Sequence, residues 1–170
     1  PVGDVRARVG GRMISEFLTP FEARQVGWAH GRAVWWTLAP LRYRSALLGA
    51  TVVVPAEMVT DLASVPRAPF AFWLAGGRGT RSAVLHDFPY QFGYWLRDAD
   101  GGRMYVDKRT ADGAFYESLL ADPIGGAGPL AARLMHAAVR LGGRGVWRRD
   151  ARRERLNPEW SATGGPRAVA

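Results

Sequence analysis

The chain has 170 residues, 48% hydrophobic and 22% charged, with seven tryptophans, no cysteine and a net charge of +8. That apolar content and length suit a single folded core and argue against disorder, which needs low hydrophobicity together with high net charge. The missing cysteines exclude a disulfide framework and a thiolate metal site, and no uninterrupted apolar run approaches the roughly 18 residues of a membrane span.

From the N-terminus, Pro1-Val2-Gly3-Asp4 lacks the basic and apolar regions of a secretory signal and reads as the product of initiator-methionine trimming, so no export from the cytoplasm in which it is made is expected. Met13 to Leu18 alternates loosely and stops at Thr19-Pro20, where a ladder loses a donor. Val34-Trp35-Trp36-Thr37-Leu38 has the β-branched and aromatic composition of a half-buried strand. After Ala39-Pro40, Leu41-Arg42-Tyr43-Arg44-Ser45 alternates strictly, and Thr51-Val52-Val53-Val54 follows and stops at Pro55. Turns this tight predict an antiparallel meander of the three.

The second half reads as helices. Pro69 to Leu74 predicts a short apolar helix closed by Gly76-Gly77. Thr80 is placed to cap a helix with Ala83, Val84, Phe88 and Phe92 on one side, which Pro89 is expected to kink or end. Lys108 to Leu120 sets Ala111, Phe115 and Leu119 at four-residue spacing around Ala114 and ends at Asp122-Pro123. Pro129 opens a last helix with Leu130, Leu134, Ala137, Ala138 and Leu141 on its apolar face, closed by Gly142-Gly143. Strands followed by helices predict an α+β fold, a small antiparallel sheet from the N-terminal half packed with three to four helices from the C-terminal half. Residues 1–147 are expected to form one domain. Residues 148–170, poor in core formers, form a basic arm.

Basic charge raises attraction to polyanions. Yet of 23 basic residues only Lys108 is lysine, which resembles the coding bias of a GC-rich genome. The densest basic run, from Arg148 to Arg155, lies in the terminal arm and not on a reading helix. Without a docking motif, neither a specific nucleic-acid partner nor a membrane partner is expected. In the arm, Arg152, Arg153 and Arg155 with Trp160 as anchor have the composition of a protein-docking segment.

Concentrated polar chemistry lies elsewhere. Thr60-Asp61-Leu62-Ala63-Ser64 is a loop bracketed by Pro55 and Pro66, in which Asp61 and Ser64 can accept bonds from backbone amides. His86 and Asp87 are adjacent on a helix, so they point about 100° apart, one toward the Asp61 loop and the other toward the next helix. Asp61 and His86 are expected to be neighbours shielded from water. Asp112 stands on an apolar face between Ala111 and Phe115, where a carboxylate needs a partner. His30 lies in a Gly-rich turn, and His136 reads as a half-buried core residue. The runs Gly76-Gly77-Arg78-Gly79 and Gly125-Gly126-Ala127-Gly128 lack phosphate-loop spacing and read as turns.

In order along the chain, these residues resemble a phage and prophage family known as domain of unknown function 1353. The resemblance runs through Trp36, Leu41 and Tyr43, Val54-Pro55, Thr60-Asp61, Ala63-Ser64 and Pro66-Arg67. It continues through His86-Asp87 and Tyr90, Ala111-Asp112 and Phe115, then Val139-Arg140-Leu141-Gly142 and Trp147, covering about residues 34–147. Three departures stand out. Glu57-Met58 replaces the family's Gly-Phe, Pro89 replaces an aliphatic residue, and the arginine before Ala-Asp is one residue too close if Arg109 is its match.

Two readings compete for Thr60, Asp61, Ser64, His86, Asp87, Tyr90 and Asp112. They can be an interior hydrogen-bond network pinning a long loop to two helices. Alternatively, His86 with Asp61, Asp87 or Asp112 binds a divalent metal or works as a general acid/base, making the chain a small metal-dependent hydrolase. The first is preferred, because no second histidine has metal-ligand spacing. No cofactor or metal is therefore expected. The resemblance implies a virion structural or assembly protein in the tail, baseplate or neck of a phage or gene-transfer particle, with other virion proteins as partners.

Overall fold

The computed structural model describes residues 8–9, 12–29, 32–60, 79–143 and 147. Strands β1 (Arg8–Val9), β2 (Arg12–Met13), β3 (Glu16–Phe17), β4 (Ala23–Ala29), β5 (Arg32–Thr37), β6 (Leu41–Ser45), β7 (Ala50–Val54) and β8 (Val59–Thr60) come first. Helix α1 (Thr80–Phe92), strands β9 (Tyr94–Arg97) and β10 (Arg103–Tyr105), and helices α2 (Lys108–Ala121) and α3 (Pro129–Gly142) follow. The fold is α+β. A five-stranded sheet runs β10-β9-β7-β6-β3, a three-stranded one β4-β5-β8, and β1 pairs with β2, every pairing antiparallel.

Strict alternation in Leu41-Arg42-Tyr43-Arg44-Ser45 turns Leu41, Tyr43 and Ser45 to one face of β6, and all three are fully buried there. Against that face stand Val84, Leu85 and Phe88 of α1, with Val52, Val54 and Met58 in the same core. Glu117 of α2 clamps the β6–β7 hairpin by accepting hydrogen bonds from Tyr43 Oη (3.0 Å), Ser45 Oγ (2.6 Å) and the Leu47 amide (2.7 Å). At the far end of α2, Asp122 is gripped through both oxygens by the Arg81 guanidinium from the first turn of α1. The sheet and the helix pair are thereby fixed as one unit.

Several expectations are corrected. The strand around Trp35 and Trp36 does not join the β6–β7 hairpin. Its neighbours are β4 and β8, strands the sequence reading did not predict, and Pro40 lets the chain leave one sheet for the other. Between Met13 and Leu18 only Met13 and Glu16–Phe17 are in strand. The β9–β10 hairpin interrupts the helical half, extending the sheet through β9 and β7. Thr80 does not cap α1. Gly79 does so in the left-handed conformation (φ 89°), where a Cβ would lie 2.9 Å from Leu119 Cδ2. The inward face of α3 is Ala132, Met135 and Val139, while Leu130, Leu134, Ala137 and Leu141 face solvent. This inward face packs against Phe115 and Leu119 of α2. The helix expected over Pro69–Leu74 lies outside the described residues.

Pro89 does not end α1, which continues to Phe92. Its missing amide would leave the carbonyl four residues back, on Leu85, without a donor. Trp95 supplies the replacement from β9: its indole Nε1–H donates to Leu85 O at 2.9 Å, with the ring fully buried. At the Val54-Pro55 turn, Glu57 occupies a left-handed φ of 65°. Thr37 holds this turn, its hydroxyl donating to Pro55 O at 3.1 Å and accepting from the Met58 amide at 2.9 Å.

Trp95→Phe should cost about 1–3 kcal/mol, the price range for a buried carbonyl without a donor. In a Pro89→Ala background the restored amide takes over, and the cost should fall by about 1 kcal/mol. Urea denaturation of the four chains measures this coupling, and strict additivity would show that Leu85 O is not what Trp95 serves. Glu57→Gly should raise stability by a few tenths to about 1 kcal/mol, since glycine adopts φ 65° without strain. A lower urea midpoint would contradict it.

Candidate functional site

On α1, His86 and Asp87 serve different neighbours, as their angular separation requires. Asp87 turns to β8 and accepts the Thr60 hydroxyl at 2.5 Å. The pairing of β8 with β5, in which Thr60 stands opposite Trp35, sets that contact. Gln91 adds a second tie, its Nε2 donating to Val59 O at 3.2 Å.

His86 turns the other way, to α2, with Nε2 3.0 Å from Asp112 Oδ1. Tyr90, one turn along α1, donates its hydroxyl to the same oxygen at 2.7 Å. Lys108 donates its ammonium to Asp112 Oδ2 at 2.6 Å, then to Val139 O at 3.0 Å and Arg140 O at 3.4 Å. Those carbonyls belong to the last turn of α3, where the helix dipole is negative, and Val139 O also accepts the Gly143 amide at 2.9 Å. One cation thus joins α2 to the end of α3. The close approach depends on Gly143, where a Cβ would lie 2.5 Å from Tyr90 Oη and 2.9 Å from Lys108 Cε. Trp147 closes the cluster edge-on against Tyr90, centroids 5.0 Å apart.

Thr60, His86 and Asp112 are wholly buried, and Asp87 and Tyr90 nearly so. Burial pushes the Asp112 carboxyl up, but hydrogen bonds from His86, Lys108 and Tyr90 outweigh it and hold the group at about 2. Burial also pushes His86 below its ordinary value, against the pull of Asp112, and keeps the ring neutral at pH 7. Packed 4.2 Å from Tyr90 and 4.7 Å from Phe115 by ring centroids, the imidazole has little freedom to turn. With Nε2–H donating to Asp112, its Nδ1 carries the lone pair, and no described residue bonds to it. Ser82 Oγ, one turn earlier on α1, is likewise buried without a partner among the described residues.

Of the residues singled out in the sequence, the structure brings Thr60 to Asp87, and His86 and Tyr90 to Asp112. Asp61, Ser64, Arg152, Arg153, Arg155, Trp160 and His30 lie outside the described residues, as does the expected Asp61–His86 contact. His136 is half-buried against Tyr116, ring centroids 5.1 Å apart. The sequence reading looked to Arg109 for the cation before Ala-Asp and missed Lys108. Its four-residue spacing to Asp112 is the helical ion-pair distance and could have identified it.

An imidazole oriented by a carboxylate has the form of a general base. The carboxylate oxygens that a metal ion would use beside His86 already accept hydrogen bonds: Asp112 takes three donors and Asp87 takes Thr60. Among the described residues, no group of three or more His, Asp or Glu is arranged to hold a metal ion.

A family model described as "Protein of unknown function (DUF1353)" matches residues 35–139. The match starts in β5 and ends in α3, so it contains Thr60, His86, Asp87, Tyr90, Lys108 and Asp112. No curated protein and no solved structure matches the chain.

Both depressed groups make stability rise with pH. For His86 the unfolded chain binds the extra proton, so stability is complete above about 6.5 and is lost as pH falls below it toward the folded value. For Asp112 the loss runs from about 4 down to about 2. The melting temperature should therefore be flat above pH 7 and decline between pH 7 and 5. His86→Gln should flatten that decline more than His136→Gln does, because His136 is only half-buried. Equal slopes in the two variants, read by differential scanning fluorimetry, would count against a buried neutral His86.

Proposed function

The chain belongs to the DUF1353 family of proteins of unknown function, and on that premise we propose that it is a virion structural or assembly protein of a phage or gene-transfer particle. It acts by binding other virion proteins, as a component of the tail, baseplate or neck. The observation that carries the non-catalytic part is the saturation of Asp112, whose carboxylate is wholly buried and takes hydrogen bonds from His86, Tyr90 and Lys108. A network closed in this way rigidifies the junction of three helices. The phage context rests on the resemblance in the Thr60–Arg67, His86–Tyr90 and Ala111–Phe115 motifs. Arg152, Arg153, Arg155 and Trp160 are the arm residues assigned to the partner, the arginines for salt-sensitive attraction and the tryptophan for anchoring.

One observation favours the second reading, a small metal-dependent hydrolase using His86 with Asp61, Asp87 or Asp112. It is the Nδ1 lone pair of His86, held by Asp112 and unbonded among the described residues. Calorimetric titration with zinc and manganese separates the two. On the assembly reading neither metal binds tightly, and His86→Ala lowers stability by about 2–4 kcal/mol, through the lost ring and an under-bonded Asp112. Tight binding that His86→Ala abolishes would overturn the assembly reading in favour of a metal site at His86, as the hydrolase reading requires.

A further inference from the structure

Helix α3 is apolar on two sides. Its inner side, Ala132, Met135 and Val139, is at most 2% exposed and packs with Phe115 and Leu119. Its outer side carries Leu130 (72% exposed), Leu134 (47%), Ala137 and Leu141 (80%). These follow i, i+4, i+7, i+11, the spacing that forms one continuous row on a helix. Single exposed leucines are ordinary, but a row of them along a helix marks a binding face.

Charge decides what the row accepts. Arg133 and Arg140 are seven residues apart, both exposed, and helical periodicity places both along the same edge of the row. The helix, Pro-Leu-Ala-Ala-Arg-Leu-Met-His-Ala-Ala-Val-Arg-Leu-Gly, contains no acidic residue. An antiparallel pair of α3 helices from two copies would set arginine edge against arginine edge, and a parallel pair offers the arginines no counter-charge. The chain's own residues 148–170 carry six arginines against three carboxylates, so they match no better. We propose that the outer face of α3 docks an amphipathic helix of a different protein. That helix carries an apolar row at the same spacing and Glu or Asp along the edge that meets Arg133 and Arg140. The inference rests on the reading of the chain as an assembly protein and specifies the chemistry of its partner.

The test uses the full chain and three labelled synthetic helical peptides, followed by fluorescence anisotropy. One has a leucine row edged by glutamates, the second the same row edged by lysines, and the third scrambled leucines. The glutamate peptide should bind at least about tenfold more tightly than either control and should weaken as salt rises. Leu134→Glu/Leu141→Glu should reduce its affinity at least about tenfold with the melting temperature unchanged. If that variant loses its melting transition, Leu130→Gln/Leu141→Gln, at the two most exposed leucines of the helix, takes its place. Equal binding of the three peptides, or undiminished binding by a folded variant, overturns the proposal. So does a concentration-dependent dimer that Leu134→Glu dissociates, which assigns the face to a second copy. Tighter peptide binding by Trp160→Ala also overturns it, by assigning the face to the chain's own arm. Peptide binding reads this face alone, whereas metal titration reads the His86 cluster, so failure of either reading is seen separately.

Discussion

A carboxylate on the inner face of a helix tolerates burial only if every strong demand of its oxygens is met, since an unmatched charge there costs several kcal/mol by rough estimate. Asp112 meets that condition by drawing donors from both directions along the fold. His86 and Tyr90 reach it from α1, Lys108 from one turn away on α2, and the same Lys108 continues to the carbonyls that end α3. The three helices are thus oriented by one anion. Removing Lys108 alone would leave Asp112 short of its only cationic partner among the described residues, a loss on the order of 3 kcal/mol for a buried pair.

The sheet is joined to this junction through α1. Proline at 89 would ordinarily cost the helix a hydrogen bond, and the indole of Trp95 returns it from β9. A side chain of the sheet therefore completes the backbone of the helix that carries His86 and Asp87. On the opposite side, Asp87 accepts from Thr60 at the end of β8, where the chain enters the segment with Asp61 and Ser64. The His-Asp doublet works as a hinge pin with two ends, one in the helical layer and one in the three-stranded sheet.

Among the described residues most buried polar groups are matched, with His86 Nδ1 and Ser82 Oγ as exceptions, and the large uncovered apolar groups of α3 lie at the surface. Arg133 and Arg140 run beside a row of exposed leucines. Apolar centre with charged edge is the composition of a protein contact, in which burial supplies affinity and charge selects the partner. A bonded interior beside an exposed apolar row is what the proposed assembly role would use.

Local pattern in the sequence determined part of the regular structure, β6, β7 and the three helices, but not β4, β8, β9 or β10. Alternation in Leu41–Ser45 and the β-branched run Thr51–Val54 specified their strands, Asp122-Pro123 and the Pro129 start bounded two helices, and the isolated carboxylate of Asp112 announced a buried partner. Only the tertiary structure decided what each element packs against. Periodicity finds an apolar row on α3 but carries no information about which side of the helix has a neighbour, and packing against Phe115 and Leu119 of α2 buries the side with Ala132, Met135 and Val139. The same holds for β5, whose partners β4 and β8 are chosen by contacts distant in sequence, and for Pro89, whose cost is removed by a tryptophan six residues on. A sequence window records the conformational preference of its own residues. Pairing, facing and rescue are set by free energies shared between segments, and those exist only once the chain has folded.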